Sequence, residues 1–216
     1  MATHLEQELS ELMRYILQMA DLVIDAIEKS IIALKELDVN LAKEVIENDN
    51  QLDKLEILID NECTKILVTK QPAAADLRLI LAILKSNTDL ERIGDLASNI
   101  SKEVLDLKDK GLLKPLIDIP RMSEIDIKMI KLSLEAIIER NAQLAKNAIQ
   151  MDLEVDNLNI QVNRELFAFM LEKPSTIAQA FPLITVARTL ERIGDHGTNI
   201  AEKAIYYIEG EDIRHK

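Results

Sequence analysis

The six-residue sequence LERIGD occurs twice in the chain, at residues 90–95 and again at 190–195. Each copy places two acids four residues apart, and on a helix side chains at that spacing lie one above the other. An asparagine four residues further on extends each row of oxygen atoms. The two rows are Glu91, Asp95 and Asn99, and Glu191, Asp195 and Asn199.

The helix before each row carries two more acids at the same spacing: Asp49 and Asp53, and Asp152 and Asp156. Counted from Pro72, Asp53 is 19 residues before the turn and Glu91 is 19 residues after it. In an antiparallel helical hairpin these two acids therefore lie at matching heights. The second half of the chain nearly repeats this count about Pro174.

Carboxylates gathered on two facing helices repel one another, and this repulsion raises their pKa values unless a cation lies between them. All-oxygen ligand sets bind hard ions such as Mg²⁺, Mn²⁺ and Ca²⁺, or carboxylate-bridged iron. Gly94 and Gly194 each destabilise a helix by about 1 kcal/mol relative to alanine, which indicates a close approach to the backbone. We therefore predict a metal site in each half. The alternative is that these acids are surface charges paired with Arg92 and Arg192.

The acids must be positioned by helices, because apolar residues recur at the helical period and no segment shows the alternation of a strand. We predict helices at about 5–36, 40–70, 73–109, 121–140, 143–172 and 176–209. Asn40 is the expected N-cap of the second helix. Pro182 has no counterpart in the third helix, and we expect it to kink the sixth helix and to make the second site differ from the first.

The two halves of the chain are similar well beyond LERIGD. Ten of the residues from Ser30 to Leu55 recur unchanged 103 positions later, between Ser133 and Leu158, and the offset becomes 100 further along the chain. This repetition predicts an all-α fold of two pseudo-symmetric three-helix bundles. The expected units are 1–112 and 121–216, joined by a linker at 113–120.

The amino-acid composition excludes several classes of function. A net charge of −12 and the absence of tryptophan argue against nucleic acid as a partner. Cys63 is the single cysteine and continues an apolar helix face, so we expect a buried, unreactive side chain. The N-terminal residues lack the features of a signal peptide, and no apolar run has the length of a membrane helix. We predict a cytoplasmic protein that does not insert directly into the membrane.

The chain resembles the PhoU family of bacterial phosphate-signalling regulators over nearly its whole length. The resemblance rests on QPAAADLR at 71–78, both copies of LERIGD, TNIAE at 198–202 and YYIEGE at 206–211. It implies two three-helix bundles and multinuclear metal clusters, for which we expect iron, with zinc, manganese and magnesium as alternatives. Carried over by position, the implied ligands are Asp49, Asp53, Glu91, Asp95, Asn99, Asp152, Asp156, Glu191, Asp195 and Asn199.

The resemblance also implies a negative regulator of phosphate uptake. Such a protein links the ATPase subunit of the phosphate ABC transporter to a phosphate sensor histidine kinase, with possible recruitment to the inner membrane only through these partners. We further expect a homodimer. We do not expect an enzyme. The alternative function is a carboxylate-bridged metal enzyme or a metal-storage protein, but the Glu-x-x-His pairs of di-iron sites are absent from the chain. His196 replaces Leu96 of the first half, and we expect it to be partly exposed and not essential.

Overall fold

Six long helices make up nearly all of the computed structural model, which describes residues 4–210. They are α1 His4–Glu36, α2 Val39–Lys70, α3 Ala74–Leu107, α4 Asp118–Glu139, α5 Ala142–Glu172 and α6 Ile177–Glu209. One 3₁₀ turn, Pro174–Thr176, precedes α6, and residues 4–210 contain no strand. The predicted all-α fold is confirmed. The first and last few residues of the predicted units, 1–3 and 211–216, lie outside the described range.

The predicted helix bounds are close to those observed, and the largest difference is at α4. This helix begins at Asp118, inside the predicted linker, and contains Pro120 in its first turn. Proline is tolerated there because the first N–H groups of a helix have no intrahelical partner. At the other end of the connection, α3 ends at Leu107, whose carbonyl accepts the backbone N–H of Gly111 at 3.0 Å.

The two three-helix units pack side by side, with α3 against α6 and α1 against α4. The helices α3 and α6 run antiparallel, since Arg78 near the start of α3 donates from Nε to the carbonyl of Tyr207 near the end of α6 (3.2 Å). Buried apolar side chains from all six helices form one continuous core. The two units thus share a core, and their division at 113–120 stays a prediction.

One of the two single-residue expectations, that for Cys63, has a clear outcome. Cys63 is buried, and burial raises the pKa of its thiol to about 12, which confirms an unreactive core residue. Pro182 is buried inside α6, and the helix continues through it to Glu209, so the kink expected there stays a prediction. No helix in the described part of the chain is both long enough and apolar enough to cross a membrane.

The N-cap of α2 is Asp38, so the prediction of Asn40 was wrong. Asp38 has an extended backbone, and its Oδ1 accepts the N–H groups of Asn40 (2.8 Å) and Leu41 (3.1 Å). Asn40 is already the second residue of the helix, and its backbone N–H is one of the groups that a cap must satisfy. Asn141 caps α5 in the same way, accepting the N–H of Gln143 at 3.0 Å.

We predict that Asp38→Ala lowers the free energy of unfolding by about 1 kcal/mol, because two N–H groups in the first turn of α2 lose their acceptor. The matched control Asn40→Ala should change it by less than about 0.5 kcal/mol. Urea denaturation followed by circular dichroism measures both. A larger loss for Asn40→Ala than for Asp38→Ala would contradict this cap.

Candidate metal centre

The first acid cluster, defined as Asp49, Asp53, Glu91 and Asp95, lies between α2 and α3. The pKa of Asp49 is raised by burial and then by the charges of Asp95 and Asp53. The pKa of Glu91 is raised by burial and then by Asp95, with a smaller effect of Asp53. Acids from the two helices therefore face one another, as the count from the turn predicts.

The second acid cluster, defined as Asp152, Asp156, Glu191 and Asp195, lies between α5 and α6. Burial, followed by the charges of Asp156, Asp195 and Glu191, raises the pKa of Asp152 to about 6. The pKa of Asp195 is also raised, first by burial and then by Asp156. All four acids of this cluster thus lie close enough to repel one another.

A glycine lies against the partner helix in each cluster. A Cβ atom at Gly94 would lie 2.4 Å from Leu52 Cδ1 and 3.5 Å from Asp49 Oδ1. A Cβ atom at Gly194 would lie 2.9 Å from Asp152 Oδ1. Contacts below 3.0 Å would force a neighbour to move, so the close approach inferred from the repeated glycines is confirmed.

Arg92 provides part of the neutralisation that the surface-charge alternative requires. Its Nε lies 3.4 Å from Glu91 Oε2, and its Nη1 lies 3.3 Å from Asp95 Oδ2. The Arg92 side chain is 58% exposed, and exposed pairs of this kind contribute little stability, about 0–1 kcal/mol. Arg92 therefore reduces the charge at the rim of the first cluster, while the pKa of Glu91 stays above its usual value.

The two predicted asparagine ligands make contacts outside the acid clusters. Asn99 is exposed, and its Oδ1 accepts a hydrogen bond from Lys102 Nζ at 2.9 Å. Asn199 donates from Nδ2 to Asp89 Oδ1 at 3.4 Å. The structure thus brings together four of the five ligands expected in each half, and the two asparagines stay predictions.

Glu56 joins the rim of the first cluster, one turn beyond Asp53 on α2. Its pKa is raised by burial and then by Asp60 and Asp53. The equivalent position in the second half, 103 residues later, is Asn159. The sequence feature that could have indicated Glu56 is its spacing of three residues from Asp53, because residues at this spacing share a helix face and Glu56 therefore also lies toward α3.

Asp126 joins the second cluster from α4, and the sequence analysis missed it. The side chain is fully buried, and neither carboxyl oxygen has a hydrogen-bond partner. Its pKa lies well above the usual value, first because burial disfavours the charged form and then because of Asp152. The sequence feature that could have indicated this residue is an acid on the apolar face of α4, at the position where the first half has Val23.

A further cluster joins the two halves across α3 and α6. The buried carboxylate of Asp89 accepts from His196 Nδ1 at 2.8 Å, forms an ion pair with Lys203 and accepts from Asn199. His196 is half-buried, as expected, and it also connects the two halves. The equivalent positions, Leu96 and Thr189, cannot form such an ion pair.

The acid clusters have the chemistry of cation sites. Their donors are carboxylate oxygens, which suit hard ions. Within residues 4–210, no three His, Cys, Asp or Glu side chains already have the geometry of a metal site. Three observations nevertheless fit a cation: carboxylates that raise one another's pKa, glycines that leave room for side-chain oxygens, and the unpartnered oxygens of Asp126.

Two packed three-helix units, each with acids facing across its last two helices, define a duplicated helical-bundle protein. A sequence model of the PhoU domain matches residues 16–104 and again residues 119–204. Each half of the chain therefore corresponds to one copy of the domain. The chain belongs to the PhoU family.

Named relatives cover nearly the whole chain. The phosphate-specific transport system accessory protein PhoU homolog of Aquifex aeolicus is 43% identical over 210 residues, which is 97% of this chain and 95% of the relative. The homolog of Pseudomonas aeruginosa is 39% identical, over 96% of this chain and 86% of the relative. The Escherichia coli accessory protein PhoU is 33% identical, again over 96% and 86%.

Solved structures have the same fold. The crystal structure of PhoU from Pseudomonas aeruginosa superposes with a TM-score of 0.90 at 38% identity, covering 95% of this chain and 99% of that one. The crystal structure of the phosphate transport system regulatory protein PhoU from Streptococcus pneumoniae also gives 0.90, at 28% identity, covering 97% and 99%. The predicted fold and family are confirmed.

We predict that Asp152 makes metal-free protein less stable as pH rises. The folded-state pKa of about 6 is above the ordinary value of 3.8, so the folded state favours the protonated acid. Its contribution is complete below about pH 4 and is lost as pH rises through about 6. Thermal unfolding from pH 4 to pH 8 should show wild type losing stability relative to Asp152→Asn.

The control for this experiment is Asp21→Asn, which removes an exposed acid in the other half of the molecule. Its difference from wild type should lack the change near pH 6. A difference between wild type and Asp152→Asn that is constant from pH 4 to pH 8 would show that Asp152 has an ordinary environment.

Proposed function

We propose that this protein is a negative regulator of phosphate uptake and of the phosphate-starvation response. The observation that carries this proposal is the match of both halves to the PhoU domain, with relatives named as accessory proteins of the phosphate-specific transport system. These names describe accessory and regulatory proteins, which supports a role without catalysis. The protein works in the cytoplasm, where it links the ATPase subunit of the phosphate ABC transporter to the sensor histidine kinase.

The surface of α5 supports a protein that acts by docking. Leu153, Ile160 and Phe167 are exposed, and their spacing of seven residues aligns them along one side of the helix. Leu171 continues this apolar row toward the end of α5 and is also exposed. Apolar side chains in a continuous exposed row are typical of protein–protein contacts. They suit the proposed partners or the second subunit of a homodimer.

We also propose that each acid cluster holds a multinuclear metal cluster, with iron as the expected metal and zinc, manganese or magnesium as alternatives. In the first half, Asp49 and Asp53 would hold it from α2, and Glu91 and Asp95 from α3. Bound metal would supply the positive charge that neutralises these carboxylates. The acids of both helices would then be oriented inward, which fixes the outer surface of the hairpin that a partner contacts.

We predict that the double variant Asp53→Ala, Glu91→Ala loses metal from the first half only, because one ligand is removed from each helix. The matched double variant Asp156→Ala, Glu191→Ala should lose metal from the second half only. Elemental analysis of protein purified without chelators or affinity-tag metals measures the content of each. Unchanged metal in both double variants would make these acids ordinary surface charges.

The regulatory role predicts that cells lacking this protein express phosphate-starvation genes in phosphate-rich medium. The reason is that nothing then conveys the state of the transporter to the kinase. A reporter of a starvation promoter measures this, and reintroducing the wild-type gene is the control. In a pull-down, the protein should retain the transporter ATPase and the cytoplasmic part of the kinase.

Two results together would overturn the regulatory assignment. They are starvation genes that stay repressed in the deletion strain, and a pull-down that retains neither partner. Neither measurement detects metal, and elemental analysis does not detect partners, so the regulatory role and the metal clusters have separate readouts.

A further inference from the structure

The buried carboxyl of Asp126 is an unusual feature of the second half. The side chain has an exposure of 0%, and both of its oxygens lack a hydrogen-bond partner. A buried polar group without a partner destabilises the folded state unless another group satisfies it. Aspartate is almost never fully buried unless it is paired or binds a metal. The position therefore requires a partner that the protein side chains do not provide.

Asp126 points at the second acid cluster. A Cβ atom at Gly194 would lie 3.2 Å from Asp126 Oδ1 and 2.9 Å from Asp152 Oδ1. The oxygens of α4 and α5 thus converge on the same part of α6, at the glycine beside Asp195. A glycine here leaves both oxygens free of contact with a methyl group at this position.

The first half has a different arrangement at the equivalent place. Position 23, which is 103 residues before Asp126, is a buried valine. Other positions of α1 and α4 that are 103 residues apart carry the same buried residue, which supports the equivalence of Val23 and Asp126. These pairs are Ile16 and Ile119, Met19 and Met122, Ile27 and Ile130, and Ser30 and Ser133.

The packing beside the glycine differs too. Leu52 fills the space next to Gly94, and the equivalent residue Val155 is smaller and lies 3.5 Å from the Cβ position of Gly194. An acid from the first helix of the unit and a smaller apolar neighbour thus occur together in the second half. The acid makes the floor of the second cluster more polar than that of the first.

We propose that Asp126 is a buried ligand of the cation held by the second acid cluster, so that this site draws ligands from α4 as well as from α5 and α6. The proposal rests on the metal-binding part of the proposed function. Because all of its donors are carboxylate oxygens, this site should prefer a hard divalent cation, for which Mn²⁺ is a suitable probe. The first cluster has no such ligand, because Val23 stands in its place.

The test measures Mn²⁺ binding at one cluster at a time by isothermal titration calorimetry. In the background Asp53→Ala, Glu91→Ala, only the second cluster binds, and adding Asp126→Val or Asp126→Asn should weaken binding at least about 10-fold. In the background Asp156→Ala, Glu191→Ala, only the first cluster binds, and the same substitutions should leave the affinity unchanged. Val23→Ala is the control for altered packing, and it should leave the second cluster unchanged.

Thermal unfolding gives a second measurement and shows whether each variant is folded. Without metal, Asp126→Val should raise the unfolding temperature, because an apolar side chain replaces an unpartnered carboxyl. Added Mn²⁺ should then raise it less than in wild type, since binding to the folded state is weaker. The variant would thus be more stable without metal and less responsive to it.

The outcomes separate this inference from the proposals on which it rests. Wild-type affinity at the second cluster in both Asp126 variants would overturn the inference and leave the metal sites in place. An unfolding temperature that falls in metal-free Asp126→Val would also overturn it, since Asp126 would then be a satisfied structural residue. No Mn²⁺ binding by either background would overturn the metal proposal itself, and the regulatory role would stand on its own test.

Discussion

The close approach of two antiparallel helices at a glycine, made once in each half, determines where the acids of this protein lie. Gly94 brings α3 against Leu52 of α2, and Gly194 brings α6 against Asp152 of α5. In each copy of LERIGD the acids flank this glycine, so the contact also brings their carboxylates close to those of the facing helix. The apolar core holds the helices together against this repulsion, and a cation between the acids would reduce it.

The duplication makes the two clusters alike, and the positions where the halves differ make them distinct. Asp89 and His196 both break the repeat, and they contact each other across α3 and α6. Asp126 breaks it too, and it faces the second cluster. The residues at the equivalent positions of the other half are Thr189, Leu96 and Val23. We interpret these departures as divergence of the two halves of a duplicated chain.

The helices and the acid clusters could be predicted from the sequence because both depend on local spacing. The helical period fixes which residues share a face, and counting from Pro72 fixes which acids oppose each other in a hairpin. Contacts between the halves could not be found in this way. By its spacing, Asn199 lies on the acid face of α6. In the structure, however, its side chain donates a hydrogen bond to Asp89 of the other half.

The cap of α2 and the burial of Asp126 show a second limit of the sequence analysis. Asp38 and Asn40 are both good cap residues, and only the backbone decides between them. Aspartate is a residue type that usually lies at the surface, yet Asp126 lies on the face of α4 that contains Met122 and Met129. Comparing the halves position by position reveals it, because Val23 is unambiguously a core residue.

The same helices that carry the acids also form the contact between the halves, and this connects the clusters to the shape of the whole protein. On α3, Asp89 precedes Glu91 by two residues, and on α6, His196 directly follows Asp195. Within one helical turn the backbone moves as a unit, so a change in the position of Asp195 also moves His196 relative to Asp89. A cation held by the second cluster would therefore act on the α3–α6 contact as well as on its own hairpin. This geometry would connect cation binding at one cluster to the packing of the two halves against each other.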